Sequence, residues 1–483
     1  MTDATPREES PMGPLARQAA CALVVSGGMF PVGLSLGWPV VLPGLQSDNS
    51  TSFNITNNDV KWLVSSSGMV GMLTNLCIGT LMESLGPRRL LRMVLLPGIV
   101  FWLTQAFTPS RLLLYVGRLG GVLVCNILTT LICPLLVELL EPDNRGLLCC
   151  LPEIMVSLGV MVVYLLAHQL SWRTVTALCA TPFLPLFLFS LVIPESPFWL
   201  VRRGKIQAAE RALVQLRGPA KYKKSNELAH IRRSIQECPQ ATITDQLKQL
   251  RLPHHMKPVA LLVFIFVLRE LGGQYAVFTY TLYLFQQAGL HVDAFTCTIL
   301  VGVARLVATL ASSLFLDRVG RRSFLTGTCG VCAVAAAVGG AFLLAEVPRA
   351  SWVPLAAVLI FVLSYGLGVG PIPWILQGEL PPTPVRSVGA SITTFFFAVS
   401  MFVVGYIFPE LMSVAGVGGS LLVFAVFNAL LTVVVWFFLP ETGGRFLHQL
   451  QEVFIVQPPP RPLADVTTFA DAQDGTPDLA SSP

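Results

Sequence analysis

Between Ala19 and Leu439 the chain carries twelve apolar stretches, separated by Gly, Pro and short polar turns. Each is long enough to cross a bilayer as a helix of about 20 residues. In hydrocarbon the backbone amides have no water to bond, so these stretches must form helices that satisfy their own N–H and C=O groups. Of the 483 residues, 53% are hydrophobic and 12% charged, a balance that a polytopic membrane protein needs and a water-soluble globule does not. The expected fold is an all-α membrane protein with the lipid bilayer as its solvent. Residues 1–18 mix acidic and basic side chains without the apolar core and small-residue cleavage site of a secretory signal. The first span is therefore expected to act as the targeting signal.

Placement of Lys and Arg matters more than the net charge of +5, because in a membrane protein these residues follow topology. No nucleic-acid partner is implied. The loops after the second and eighth spans hold Arg88, Arg89, Arg92 and Arg318, Arg321, Arg322, and the link from Ser196 to Leu252 is rich in both residues. These loops should face the cytoplasm. The first of the alternate loops, Gln46 to Asp59, has no basic residue and carries two N-glycosylation sequons, at Asn49 and Asn54. An even number of spans then leaves both termini cytoplasmic, with the plasma membrane as the expected location. The eleven cysteines lie mostly in apolar segments, where they act as small apolar side chains. Neither a disulfide framework nor a metal site is indicated.

An internal repeat organises the chain. Glu83 precedes Gly86, Arg88 and Arg89 as Asp317 precedes Gly320, Arg321 and Arg322; Arg318 follows Asp317 directly. Glu138 stands seven residues before Arg145 at the end of the fourth span, and Glu379 seven before Arg386 at the end of the tenth. Pro194-Glu195-Ser196 closes the sixth span and Pro440-Glu441-Thr442 the twelfth. Two six-helix halves in parallel relation follow, with a cavity between them near the bilayer midplane. The charged groups at the cytoplasmic helix ends, with Arg118 of the fourth span grouped among them, either pair across helices as a gate that opens and closes, or serve as topology determinants and caps.

The expected segments are a cytoplasmic stretch at 1–18, a six-helix half at 19–195, a helical linker at 196–255, a second half at 256–440 and a disordered tail at 441–483 that turns Pro-rich at Gln457. Apolar residues at helical spacing in Ile206–Leu213 and near Leu228–Ile235 predict short surface helices in the linker. The chain has no phosphate loop and no His-Glu-x-x-His helix, so no enzyme and no cofactor is expected.

These residues resemble the sugar-porter family of the major facilitator superfamily over roughly Leu23 to Leu447. The resemblance rests on Gly117-Arg118, Arg145-Gly146, Pro194-Glu195-Ser196-Pro197, Gly320-Arg321-Arg322, Gly370-Pro371-Ile372-Pro373-Trp374 and Pro440-Glu441-Thr442-Gly443. The first span, with Gly37-Trp38-Pro39 and Leu42-Pro43, is similar to the arthropod facilitated trehalose transporter branch. The resemblance implies a transporter that moves a sugar such as trehalose or a hexose by alternating access, working as a monomer.

It also implies a binding site. Trp374 matches the family's sugar-stacking tryptophan in a tenth span whose glycines and prolines let it bend. Elsewhere the chain departs from the pattern. Arg269 and Glu270, followed by Tyr275, replace a glutamine pair in the seventh span, Glu153 replaces a glutamine in the fifth, and Arg305 an asparagine in the eighth. Phe397 and Ala398 fall on an Asn-Trp pair, which removes two further polar or stacking positions. A mid-membrane charge costs about 2.5–3.5 kcal/mol on insertion scales, so the four ionisable groups must face water, solute or one another. Two readings stay open: a charge-balanced cavity that selects a polyol or charged solute, or internal ion pairs that hold helices together.

Proton-coupled members carry an aspartate beside the fourth-span arginine, where Ser35 stands here; Arg118 is present without a carboxylate partner. Facilitated diffusion is the expected mode. Proton coupling through Glu153 or Glu270, and a solute sensor that binds without transport, are the alternatives.

Overall fold

A computed structural model describes residues 14–48, 53–141, 148–219, 222, 226–237, 243–289, 292–315, 320–345, 352–382 and 385–441. Every regular element among them is a helix. The membrane helices are Ala16–Ser47, Asn57–Leu85, Pro87–Ala106, Arg111–Leu139, Leu151–Gln169, Trp172–Ser190, Pro253–Thr279, Ala294–Ser313, Arg321–Leu344, Trp352–Glu379 and Arg386–Phe438. The last runs to 53 residues, about twice the length a bilayer needs. Gly416 divides it, with φ 68° and ψ 177° inside an otherwise helical run. Only glycine adopts that backbone cheaply. A Cβ there would meet nothing within 4 Å, so conformation rather than crowding requires the residue. The two pieces, 386–415 and 417–438, are the eleventh and twelfth spans.

Among the described residues, the helices Pro197–Arg202, Ile206–Arg217, Glu227–Glu237 and Ile243–Leu250 lie between the halves. The tail beyond Glu441 and the first thirteen residues lie outside the described residues.

The seventh and tenth spans are each interrupted part-way. In the seventh, the helix Pro253–Leu271 stops at Gly272 and Gly273 and resumes as Gln274–Thr279. Gly273 has φ 87°, and a Cβ on it would fall 2.2 Å from the Phe424 ring. Asn428 of the twelfth span donates to the freed Gly272 carbonyl at 2.8 Å and accepts from Gln274 at 3.3 Å. The polar groups released by the break are thus satisfied inside protein, as hydrocarbon demands. In the tenth span a single π turn, Tyr365–Val369, separates Trp352–Ser364 from Pro371–Glu379. Gly370 N–H donates to the Tyr365 carbonyl at 2.8 Å, while Pro371 has no N–H to continue the α-helical ladder. Such turns reorient side chains and are frequent at functional sites.

Small residues set the helix spacing, since lipid offers no hydrophobic drive between helices. A Cβ on Gly33 would lie 2.1 Å from the Val156 carbonyl oxygen, and one on Gly159 2.4 Å from that of Phe30, so the first and fifth spans meet backbone to backbone. Across the halves, a Cβ on Gly68 would lie 2.3 Å from the Phe402 nitrogen, which fixes the second span against the eleventh.

Contacts between the halves begin at the end of the bundle that carries Asn54. There Lys61 pairs with Glu410, and Trp62 packs against Tyr406 and Phe402 at 5.3 and 6.1 Å. They continue to the bond from Asn75 to the Thr394 carbonyl at 3.1 Å and, on the other side of the bundle, from His168–Phe295 to Glu153–Arg305. Toward the opposite, basic end, Gly79 of the second span and Gly378 of the tenth face open space.

Candidate solute site and charge networks

Arg269 occupies the last turn before the seventh-span break and is 4% exposed. Its guanidinium carbon lies 5.4–5.9 Å from four ring centroids: Tyr365, Phe397, Phe266 and Trp374. Trp374 packs edge-on against Phe266 at 4.9 Å and Phe397 at 5.2 Å. The guanidinium also donates to the Tyr365 hydroxyl, and its Nε lies 3.6 Å from Glu270. Cation–π contacts strengthen when water is excluded, reaching about 2 kcal/mol, so the rings supply part of what burial removes.

The second cation, Arg305, also lies near the Tyr365 ring. Arg305 donates to Glu153 at 3.1 Å and to Ser157 at 3.2 Å, with its guanidinium 4.3 Å from the Phe278 ring and 5.9 Å from that of Tyr365. Ser157 and Thr309 bond each other at 3.0 Å. Tyr365 therefore joins two arginine–glutamate pairs into one site contributed by the fifth, seventh, eighth, tenth and eleventh spans. The Glu153 side chain is 30% exposed against 4% for Arg305, so the carboxylate marks the open face.

The pairing leaves donors over. Arg269 Nε and Nη1 and Arg305 Nη1 are buried without a hydrogen-bond partner, and each unsatisfied donor costs about 1–3 kcal/mol or more when charged. An acceptor-rich solute would relieve that cost.

Glu153, Arg269, Glu270, Arg305 and Trp374, read from sequence as solute ligands, come together. Tyr275 takes a different place: its hydroxyl donates to the Val64 carbonyl at 2.8 Å, bridging the halves. The polar position expected to be lost at 397 is taken by a ring, and Phe397 packs against Trp374. Tyr365, Ser157 and Phe278 were not singled out in the sequence. Ser157 is four residues after Glu153 and Thr309 four after Arg305, so helical spacing alone could have found both.

Arg118 stands apart from the basic-end network with which its charge grouped it. Buried in the fourth span, it donates to the Leu63 carbonyl at 3.1 Å and to the Ser35 hydroxyl at 3.3 Å, and its guanidinium lies 4.8 Å from the Trp38 ring. The first-span position beside this arginine is thus held by a hydroxyl.

At the basic end the repeat becomes geometry. Arg88 N–H donates to Glu195 at 2.9 Å and its guanidinium to the Leu191 carbonyl at 2.8 Å. Arg322 N–H donates to Glu441 at 3.5 Å and its guanidinium to the Trp436 carbonyl. Arg321 pairs with Glu379, and Glu138 accepts from Ser196. The Glu83 carbonyl takes bonds from Trp199 at 2.8 Å and Arg203 at 2.6 Å, Arg89 is exposed, and Arg386 opens the eleventh span. Arg145, Asp317, Arg318 and Asn49 lie outside the described residues; Asn54 is exposed.

A profile of the sugar (and other) transporter family matches residues 39–454. The chain is 30% identical over 440 residues to the facilitated trehalose transporter Tret1 of Culex quinquefasciatus, covering 90% of this chain and 85% of that one. For the Polypedilum vanderplanki Tret1 the figures are 30% over 442 residues, 90% and 87%. It spans 54% of the Aedes aegypti Tret1. Among solved structures, the proton:xylose symporter XylE bound to 6-bromo-6-deoxy-D-glucose superposes with a TM-score of 0.77 at 20% identity, covering 91% of this chain and 100% of that one. The inward-open xylose transporter XylE from E. coli gives 0.73 at 19% identity, covering 89% and 98%. With twelve membrane helices in the major facilitator arrangement and a family match across most of its length, the chain belongs to the sugar (and other) transporter family.

Proposed function

We propose that this protein is a facilitative transporter of a sugar, trehalose or a hexose, working as a monomer by alternating access. The observation that carries the reading is the buried site around Tyr365, where the Trp374 and Phe397 rings and three guanidinium nitrogens without a hydrogen-bond partner lie near the Glu153–Arg305 pair that joins the halves. Rings suit the C–H face of a sugar and the N–H groups its hydroxyls. The relatives' name, facilitated trehalose transporter, supports the substrate class and the mode. Ser35 beside Arg118 supports uniport, since a hydroxyl does not titrate and leaves no carboxylate beside that arginine to take up and release a coupled proton.

The end bearing Asn54 faces outside and the basic end the cytoplasm, so both termini are cytoplasmic, and the protein resides in the plasma membrane. In that orientation the closed contacts from Lys61 to Asn75 lie outside and the conformation is inward-facing. The basic-end pairs act as the inner gate, separating and re-forming as the halves rock.

The test is uptake of labelled trehalose, glucose, fructose and a polyol in oocytes at acidic and neutral outside pH. Saturable, pH-independent uptake of one sugar is expected. The partly exposed Glu153 favours a second reading, proton symport, and acid-stimulated uptake that Glu153→Gln abolishes would replace uniport with it. Binding without flux would replace both with a sensor. Asn54→Gln, together with Asn49→Gln, should remove a glycan-dependent gel shift; a shift unchanged by both would reverse the orientation.

A further inference from the structure

The solute site does not use a second cavity at the basic end. It lies between the start of the third span, the end of the sixth and the linker helices Pro197–Arg202 and Ile206–Arg217, with a volume of about 450 Å³. Arg88, Arg89, Arg92, Lys205 and Arg211 line it against a single carboxylate, Glu195. Arg88 and Arg92 turn to the Leu191 and Ser190 carbonyls at 2.8–2.9 Å. Arg89, Lys205 and Arg211 are exposed, with no carboxylate partner among the described residues. Trp199 holds one wall in place through its bond to the Glu83 carbonyl, with Lys205 5.7 Å from its ring.

Five cations facing one carboxylate repel one another unless an anion joins them. Several closely spaced phosphates suit this arrangement, because arginine and lysine donate charge-assisted bonds to phosphate oxygens from different directions. The surroundings say how such an anion would arrive. The third and sixth spans that frame the cavity expose Met93, Leu96, Phe189 and Val192 at 59%, 44%, 58% and 72%, an apolar wall beside a basic pocket. A lipid fits that pair of features, with its headgroup in the pocket and its acyl chains along the wall. Basic clusters at the cytoplasmic membrane surface attract anionic headgroups, and the orientation proposed above puts the pocket on that side.

We propose that this cavity binds a multiply phosphorylated headgroup presented by a membrane lipid, tying the linker to the first half of the bundle. The test uses the full-length protein in nanodiscs of phosphatidylcholine, of the same lipid with a few per cent phosphatidylinositol bisphosphate, and of the same lipid with phosphatidylserine at matched charge. Lipid retention is read by native mass spectrometry and thermal stability by unfolding. Retention and stabilisation with the bisphosphate lipid alone are expected. The double variant Lys205→Gln/Arg211→Gln should lower that retention about tenfold or more, as loss of charge-assisted bonds implies, while keeping wild-type sugar uptake in phosphatidylcholine. Equal stabilisation by phosphatidylserine, or equal retention by the variant, would overturn the proposal. Soluble inositol trisphosphate separates the sources: if it binds as tightly as the lipid, the pocket serves a free phosphate and the lipid part falls; if it fails to compete, the lipid part stands. These readouts need no transport, so they stand or fall apart from the sugar assignment.

Discussion

Arg305 on the eighth span donates to the Glu153 carboxylate on the fifth at 3.1 Å, so one ion pair bridges the two halves beside the candidate solute site. Removing one partner of a buried pair leaves an uncompensated charge and costs about 3–5 kcal/mol. Partial exposure of Glu153 puts its removal at the lower end, about 3 kcal/mol. Glu153→Gln and Arg305→Gln should each lower the melting temperature in detergent and reduce uptake. The double variant should recover much of the stability but not the uptake if the pair also contacts solute. Recovery of both would make it purely structural.

Trp374 supplies the largest ring of the site. Trp374→Ala should raise KM two- to tenfold, matching the roughly 0.5–1.5 kcal/mol a stacked ring provides, and Trp374→Phe should keep most of the affinity. Dose–response uptake on both variants checks this. An unchanged KM in the alanine variant would move the solute elsewhere.

Gly68 tests the close approach of the second and eleventh spans. Gly68→Val puts side-chain atoms where the Phe402 backbone lies, 2.3 Å from the Cβ position, so the halves cannot close on that side and uptake should vanish at normal surface expression. Gly79→Val, on the same helix but facing open space, should transport normally. Equal activity of the two would refute the packing account.

Lys61 and Glu410 hold the Asn54 end shut. Lys61→Glu should open it, so that a cysteine placed at Val60 in the neighbouring cavity reacts faster with a membrane-impermeant maleimide. Lys61→Glu/Glu410→Lys should restore the slow rate. High salt should mimic the single variant in part, because an exposed pair is screened.

Much of the fold was legible because bilayer thickness converts apolar length directly into helices, and because the repeated acid–glycine–arginine and Pro-Glu signals carry the two-half organisation. The structure brings the motifs of each half together as Arg88–Glu195 and Arg322–Glu441. Arg269, Glu270, Glu153 and Arg305 were visible too, since ionisable residues are rare in apolar helices and stand out.

Their pairing was not. Nothing in the chain states that Arg305 faces Glu153 across 152 positions or that Tyr365 meets both guanidiniums, because tyrosine in an apolar helix carries no signal of its own. The π turn at Tyr365–Val369 and the glycine break at Gly272–Gly273 rotate those side chains inward, and such rotations depend on neighbouring helices such as the Asn428 contact. The sequence by itself determined the helices, their number and the residues that could not face lipid. Only the tertiary structure decided which charges neutralise one another and which donors remain unpaired, because those outcomes depend on distances between helices that the chain brings together from far-separated segments.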